Sequence, residues 1–279
     1  MRWWAAAAVA AVAAVTGVGC TGADDMSIAS DRNGEHEVSE HEVVRYGDAP
    51  QQFVEFALPE LSVDDGPFPV IVFIHGGFWR NAYELDLARP QAADARANGY
   101  ATWNIEYRRV GDLGGGYPGT LDDIATAIDA LADMDAPIDL SRVAVVGHSA
   151  GGHLALWAGQ RDAPVVTPTL VVGQAPVADL TNSLELSRGA VTDFMGCAPD
   201  DCKAAYEAAD PALRLPIKVP QLIVQGARDD TVPPAFVEPY AEASGAEIIV
   251  FDDVDHFDVI DPASPTWAAV LAAIGDAVS

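Results

Sequence analysis

Positive charge is scarce in this sequence. Fifteen Lys and Arg stand against 42 Asp and Glu, a formal net charge of -27 over 279 residues. A phosphate backbone or an anionic lipid surface would be repelled over most of such a molecule, so nucleic-acid binding is excluded as a function class and no nucleic-acid partner is expected. The three cysteines and six histidines are too scattered to suggest a metal centre: Cys197 and Cys202 have no further Cys or His nearby. The glycine-rich stretch Gly111–Gly119 lacks the Lys and the spacing of a phosphate loop and reads as an ordinary loop. No metal and no cofactor is expected.

What is present is an ordinary globular composition, half hydrophobic and a fifth charged, which rules out a disordered or collagen-like chain. The first 23 residues read as a targeting segment: Arg2 supplies a minimal positive end, Trp3 to Val18 form an uncharged Ala/Val run, and small residues surround Cys20. The ending Gly17-Val18-Gly19-Cys20 resembles a bacterial lipoprotein box, with Gly17 where Leu is usual, and the resemblance implies lipidation of Cys20. Cleavage after Ala23 without lipid and an uncleaved anchor are the other readings. All three place the domain outside the cytoplasm, with membrane contact only through this end. In an oxidising compartment Cys197 and Cys202, in a polar loop-like stretch, are expected to pair and staple a loop.

Residues 24–41 are polar and acidic and read as a flexible linker. From Glu42 onward the pattern is that of one domain. Two extended runs, 42–46 and 52–58, flank the turn residues Gly47-Asp48-Ala49-Pro50 at hairpin spacing. Apolar runs at 69–74, 100–106, 142–146, 169–173, 221–225 and 247–251 then alternate with helical stretches at 81–98, 121–132, 151–160, 235–244 and 266–278. Such alternation predicts βαβ units, hence an α/β fold with a mainly parallel eight-stranded sheet covered by helices on both faces. The rhythm breaks at about 177–219, which holds the two cysteines and a short helical stretch near 203–209, and is expected to cover the site as a small cap.

Chemistry concentrates at strand ends. Gly147-His148-Ser149-Ala150-Gly151 follows an apolar strand and opens an apolar helix, the context in which G-x-S-x-G turns sharply and presents a nucleophilic serine. His75-Gly76-Gly77-Phe78-Trp79 stands at the end of the first long buried strand, where glycines let backbone N–H groups approach a reacting carbonyl. Gly77 and Phe78, with Ala150 after the nucleophile, are the expected oxyanion-hole donors. After His153 the only histidine is His256, in a loop beyond the last strand, and it is the expected general base. Its acid should lie after the 221–225 strand, where Asp229 and Asp230 compete; neighbours in extended chain point to opposite sides, so one of them faces the histidine.

GHSAGGH, HGGFW, GARDDTVPP and DHFDVI together resemble the esterase and arylformamidase branch of the α/β hydrolases, which includes kynurenine formamidases and feruloyl or acetyl-xylan esterases. The likeness spans roughly residues 42–278 and implies the α/β-hydrolase fold. It also implies that the acid is the fourth residue of G-x-x-D-x-x-V-P, Asp229, and that Trp79, Tyr107 and parts of the 177–206 segment line the substrate pocket. The implied activity is hydrolysis of carboxylic esters of small or aryl acyl groups through an acyl-enzyme on Ser149. An arylformamidase or prolyl-oligopeptidase-like amide hydrolase shares that chemistry, and a non-catalytic binding protein on the same scaffold is the reading from another class.

Overall fold

The computed structural model describes residues 41–59 and 66–279. The expectations for the targeting segment, for Cys20 and for the linker up to residue 40 lie outside the described residues.

Strands β1 (Glu42–Arg45) and β2 (Phe53–Ala57) form an antiparallel hairpin with Glu42 opposite Phe56. The alternating part follows as β3 (Phe68–Ile74), α1 (Arg89–Ala97), β4 (Ala101–Ile105), α2 (Gly119–Asp129), β5 (Ile138–His148), α3 (Ala150–Ala158) and β6 (Leu170–Gln174). It continues with α4 (Ala190–Met195), α5 (Lys203–Ala209), β7 (Gln221–Gly226), α6 (Glu238–Ser244), β8 (Glu247–Phe251) and α7 (Pro265–Ala277). The strands form one eight-stranded sheet ordered β1-β2-β4-β3-β5-β6-β7-β8, antiparallel at β1/β2 and β2/β4 and parallel elsewhere.

The period-2 alternation of strand side chains explains why β3 is apolar throughout. Val70, Val72 and Ile74 face the layer built from α2 and α3, with Ile124, Ile128 and Leu154. Ile71 and Phe73 face the opposite layer, Ala92 and Ala95 of α1 and Trp267, Val270 and Ile274 of α7. Burial on both faces demands a continuous run, and the run is what the sequence displays.

Two boundaries differ most from expectation. β5 starts at Ile138 rather than Arg142: its polar lead-in pairs Ile138 with Phe68 before the register shifts to Val143 opposite Val70. The stretch expected to be helical from 81 begins with a 3-10 turn at Leu85–Ala88 and becomes α-helical at Arg89. Asn81 is held in a loop by its N–H bond to Val110 O, and Pro90 suits a helix start because its missing N–H needs no partner there.

Candidate active site

Strand β5 ends at His148 and α3 starts at Ala150, so a single residue makes the turn. Ser149 does so with φ 55° and ψ -118°, a conformation costing a non-glycine residue about 1–3 kcal/mol. The flanking glycines are sterically required: a Cβ at Gly147 would lie 2.1 Å from Gly151 O, and one at Gly151 would lie 2.1 Å from Ile74 O. Backbone bonds fix the turn, Ser149 N–H to Gln174 O at 2.8 Å and Val177 N–H to Ser149 O at 3.2 Å. The residue is 3% exposed and stands at the N-terminal end of α3, where unpaired N–H groups favour developing negative charge.

The loops after β7 and β8 meet. A Cβ at Gly226 would lie 2.3 Å from Val254 O, and Ala227 and Arg228 donate their N–H groups to Phe251 O and Val254 O. Beyond this crossing His256 Nδ1 lies 2.7 Å from Asp229 Oδ2. Asp229 is buried, and its other oxygen accepts the N–H groups of Thr231 at 2.9 Å and Val232 at 2.8 Å. Asp230 is exposed. A carboxylate accepts and does not donate, so Nδ1 carries the proton and the Nε2 lone pair of a neutral His256 is left to act as a base. His148, the neighbour of Ser149, has its ring centroid 4.6 Å from that of His256.

The HGGFW loop is built from consecutive left-handed residues, Gly77 (φ 109°), Phe78 (φ 59°) and Trp79 (φ 54°). At Gly77 only glycine fits, since a Cβ would lie 2.4 Å from Tyr83 Cβ. The loop is tied down by Val110 N–H to Trp79 O at 2.7 Å and Asn81 N–H to Val110 O at 3.1 Å. Beneath it lies a buried network centred on Glu106, which accepts the Leu85 and Tyr107 N–H groups at 2.9 and 3.0 Å and pairs with Arg109 at 3.0 Å. Tyr107 belongs to this network. Its hydroxyl donates to His75 O at 2.7 Å and its ring stacks on His75; burial raises its phenol pKa. The expectation that Tyr107 faces substrate is therefore corrected: it supports the loop from behind.

Trp79 does face the site. With Phe78, Ser149 and Ala150 it borders a narrow cavity of about 10 Å³, walled by Val177, Leu186, Ala190, Val191 and Val232, with room for about one water-sized group. The 177–219 segment thus supplies much of the wall. It is anchored to the HGGFW loop by Phe194 stacked on Trp79 at 4.9 Å, and braced internally by the Cys197–Cys202 disulfide and by Asp210, which accepts the Thr181 N–H and hydroxyl at 3.0 Å each. Tyr206, in the stretch expected to line the pocket, is buried and donates to Cys197 O instead. Among the described residues no group of three or more His, Cys, Asp or Glu is placed to hold a metal ion.

Sequence reasoning passed over four residues around the site. His148 Nε2 meets His256 O at 2.8 Å and Gln174 Nε2 donates to Val259 O at 2.6 Å; Glu106 and Arg109 form the ion pair under the HGGFW loop. The available signal was a polar residue ending an otherwise apolar strand, as at Gln174.

A parallel sheet carrying a strand-to-helix serine turn, with the acid and histidine loops after the last two strands, is the architecture of the α/β hydrolases. The chain belongs to the BD-FAE family, whose model matches residues 56–240. It is 28% identical over 255 residues to Esterase LipC of Mycobacterium tuberculosis, covering 81% of this chain and 62% of that protein; it therefore spans under two thirds of that relative's length. Esterase B of Lactobacillus rhamnosus shares its fold with a TM-score of 0.73 at 21% identity, covering 85% of each chain. An esterase of Thermogutta terrifontis does so with a TM-score of 0.68 at 20% identity, covering 86% of this chain and 92% of that one.

Proposed function

We propose that this chain hydrolyses carboxylic esters of small acyl groups through an acyl-enzyme on Ser149. The observation that carries this reading is the His256–Asp229 bond at 2.7 Å, with Asp229 held by two further backbone N–H groups. In the reaction, Ser149 Oγ attacks the ester carbonyl while His256 Nε2 takes its proton, and the Asp229 carboxylate stabilises the imidazolium. The N–H groups of Gly77 or Phe78 and of Ala150 bind the oxyanion. Collapse expels the alcohol with the proton from His256; water, deprotonated by the same base, then releases the acid and restores Ser149.

The cavity beside Ser149, about 10 Å³ and walled by apolar side chains, favours formyl or acetyl over an aryl acyl group. It also keeps an arylformamidase as the second reading within the esterase and arylformamidase branch, since formyl is the smallest acyl group. Export, with a lipid on Cys20, belongs to the same proposal and rests on the N-terminal sequence. Intact mass of the mature protein tests it: a start at Asp24 without lipid would mean plain secretion.

The activity is tested by initial rates on a panel of acetate, butyrate and long-chain esters, N-formylkynurenine and acetylated or feruloylated sugars, together with fluorophosphonate labelling. A phosphonyl adduct on Ser149 and turnover of short esters are expected. Turnover without an adduct on Ser149 would move the nucleophile elsewhere.

A further inference from the structure

His148 and Gln174 are cross-strand partners, paired in register at the ends of β5 and β6. Each reaches the loop that bears the histidine base. His148 Nε2 lies 2.8 Å from His256 O, and Gln174 Nε2 lies 2.6 Å from Val259 O. Both partners are carbonyls, so both nitrogens must donate, and this fixes the His148 tautomer and the Gln174 amide orientation.

The remaining polar atoms of the two side chains, His148 Nδ1 and Gln174 Oε1, are then acceptors. Both are buried without a hydrogen-bond partner among the described residues, and so is the donor Gln91 Nε2. All three residues border one cavity of about 10 Å³ behind the nucleophile turn. That is the size of one water, and a buried water needs two to four polar partners. One water there would supply the two donors that Nδ1 and Oε1 lack and the acceptor that Gln91 lacks.

We infer that His148 and Gln174 are positioning residues that hold the His256 loop in register with Ser149, joined from behind by one buried water. The inference rests on the ester-hydrolase reading for its kinetic meaning. Burial and the neighbouring His256 push the His148 imidazole down to about 3, so it stays neutral and adds no charge that would oppose the imidazolium formed on His256. Among the described residues Thr266 also reaches the loop, its hydroxyl 3.3 Å from Val259 O. His148 is the residue that grips the base's own carbonyl.

The test compares His148→Phe, which keeps a ring and loses the donor, with His148→Gln, whose amide N–H reaches the same place, and with Gln174→Met. The Phe and Met variants are expected to lower kcat on p-nitrophenyl acetate by about 10-fold or more with KM within about twofold, because a small misplacement of a catalytic group is costly. His148→Gln should recover most of the loss. The downfield proton resonance of the His256 Nδ1–H bond to Asp229, read without substrate, should broaden in His148→Phe and persist in His148→Gln. Gln91→Met should lower kcat by about 2–3-fold through loss of the water's donor.

A folded His148→Phe with wild-type kcat and an unchanged resonance overturns the inference. If that variant does not fold, wild-type kcat in Gln174→Met overturns it. Gln91→Met indistinguishable from wild type removes the water. A wild-type protein inert on every ester sinks the hydrolase reading alone, since the resonance still reports on the positioning.

Discussion

The Trp79 indole N–H donates to His153 Nδ1 at 3.2 Å, so the HGGFW loop is bonded inside the core to the helix that follows the nucleophile. His153 Nε2 in turn donates to Ala209 O at 2.9 Å, and its ring packs edge-on against Phe194. One neutral, buried imidazole therefore joins loop, helix and cap.

That arrangement makes stability sensitive to acid. Burial pushes His153 down to about 4 and His148 to about 3, from 6.5. Between 6.5 and those values the unfolded chain binds more protons than the folded one, so stability falls as pH drops. Asp210, pushed up to about 6 chiefly by burial, takes up its proton in the folded state first and offsets one of the two histidines below that pH. The melting temperature is expected to fall from about pH 7 to about pH 5, and to fall less in His153→Phe, where one histidine remains to balance Asp210. Equal slopes in thermal melts would mean that His153 protonates freely in the folded protein.

Ser149→Ala should remove about 10⁴-fold or more of the esterase rate while the melting temperature stays near that of the parent, because the substitution deletes the nucleophile and little packing. Initial rates and a melt, taken together, check it. Near-normal turnover would end the serine mechanism.

Asp229 and Asp230 should respond unequally to Asn. Asp229 is buried and accepts two backbone N–H groups besides His256, whereas Asp230 is exposed. A loss of about 10²-fold or more in kcat is expected for Asp229→Asn alone, through the wrong imidazole tautomer. A collapse at Asp230 with tolerance at Asp229 would contradict the assignment.

Acetyl esters should outrun butyryl esters, and both should outrun long-chain esters, because the cavity at Ser149 is walled by Leu186 and Val191 from the cap. Removing methyl groups from that wall, in Leu186→Ala or Val191→Ala, should raise the butyrate-to-acetate ratio of kcat/KM by about 10-fold, the worth of one methylene or more in a tight pocket. Unchanged ratios would place the acyl group elsewhere.

The six later strands could be read from the sequence as apolar runs, which burial on both faces demands in β3, and β1 and β2 from turn residues at hairpin spacing. The polar lead-in of β5 could not: Ile138–Arg142 carries no such run and is strand only because Phe68 pairs with it. Residue types and their order along the chain singled out Ser149, His256 and the Asp229/Asp230 pair. Residue chemistry left that pair open and only the resemblance to G-x-x-D-x-x-V-P implied Asp229; physically the choice depends on the turn in which Thr231 and Val232 cap Asp229. Tyr107 was misjudged because an aromatic beside a site can line it or support it, and only the hydrogen bond to His75 O separates the two. His148 and Gln174 escaped notice because their meaning comes from adjacency in the sheet.

The sheet order also sets when the site can exist during synthesis. Ser149 follows the fifth strand, while the loops bearing Asp229 and His256 come after the seventh and the eighth, the latter at the sheet's edge. A nascent chain emerging from the ribosome exposes its serine long before the residues that would activate it are made. Contacts this distant in sequence close late in folding. Turnover is expected to require the edge strand in place, so its recovery after denaturation should follow the docking of that edge.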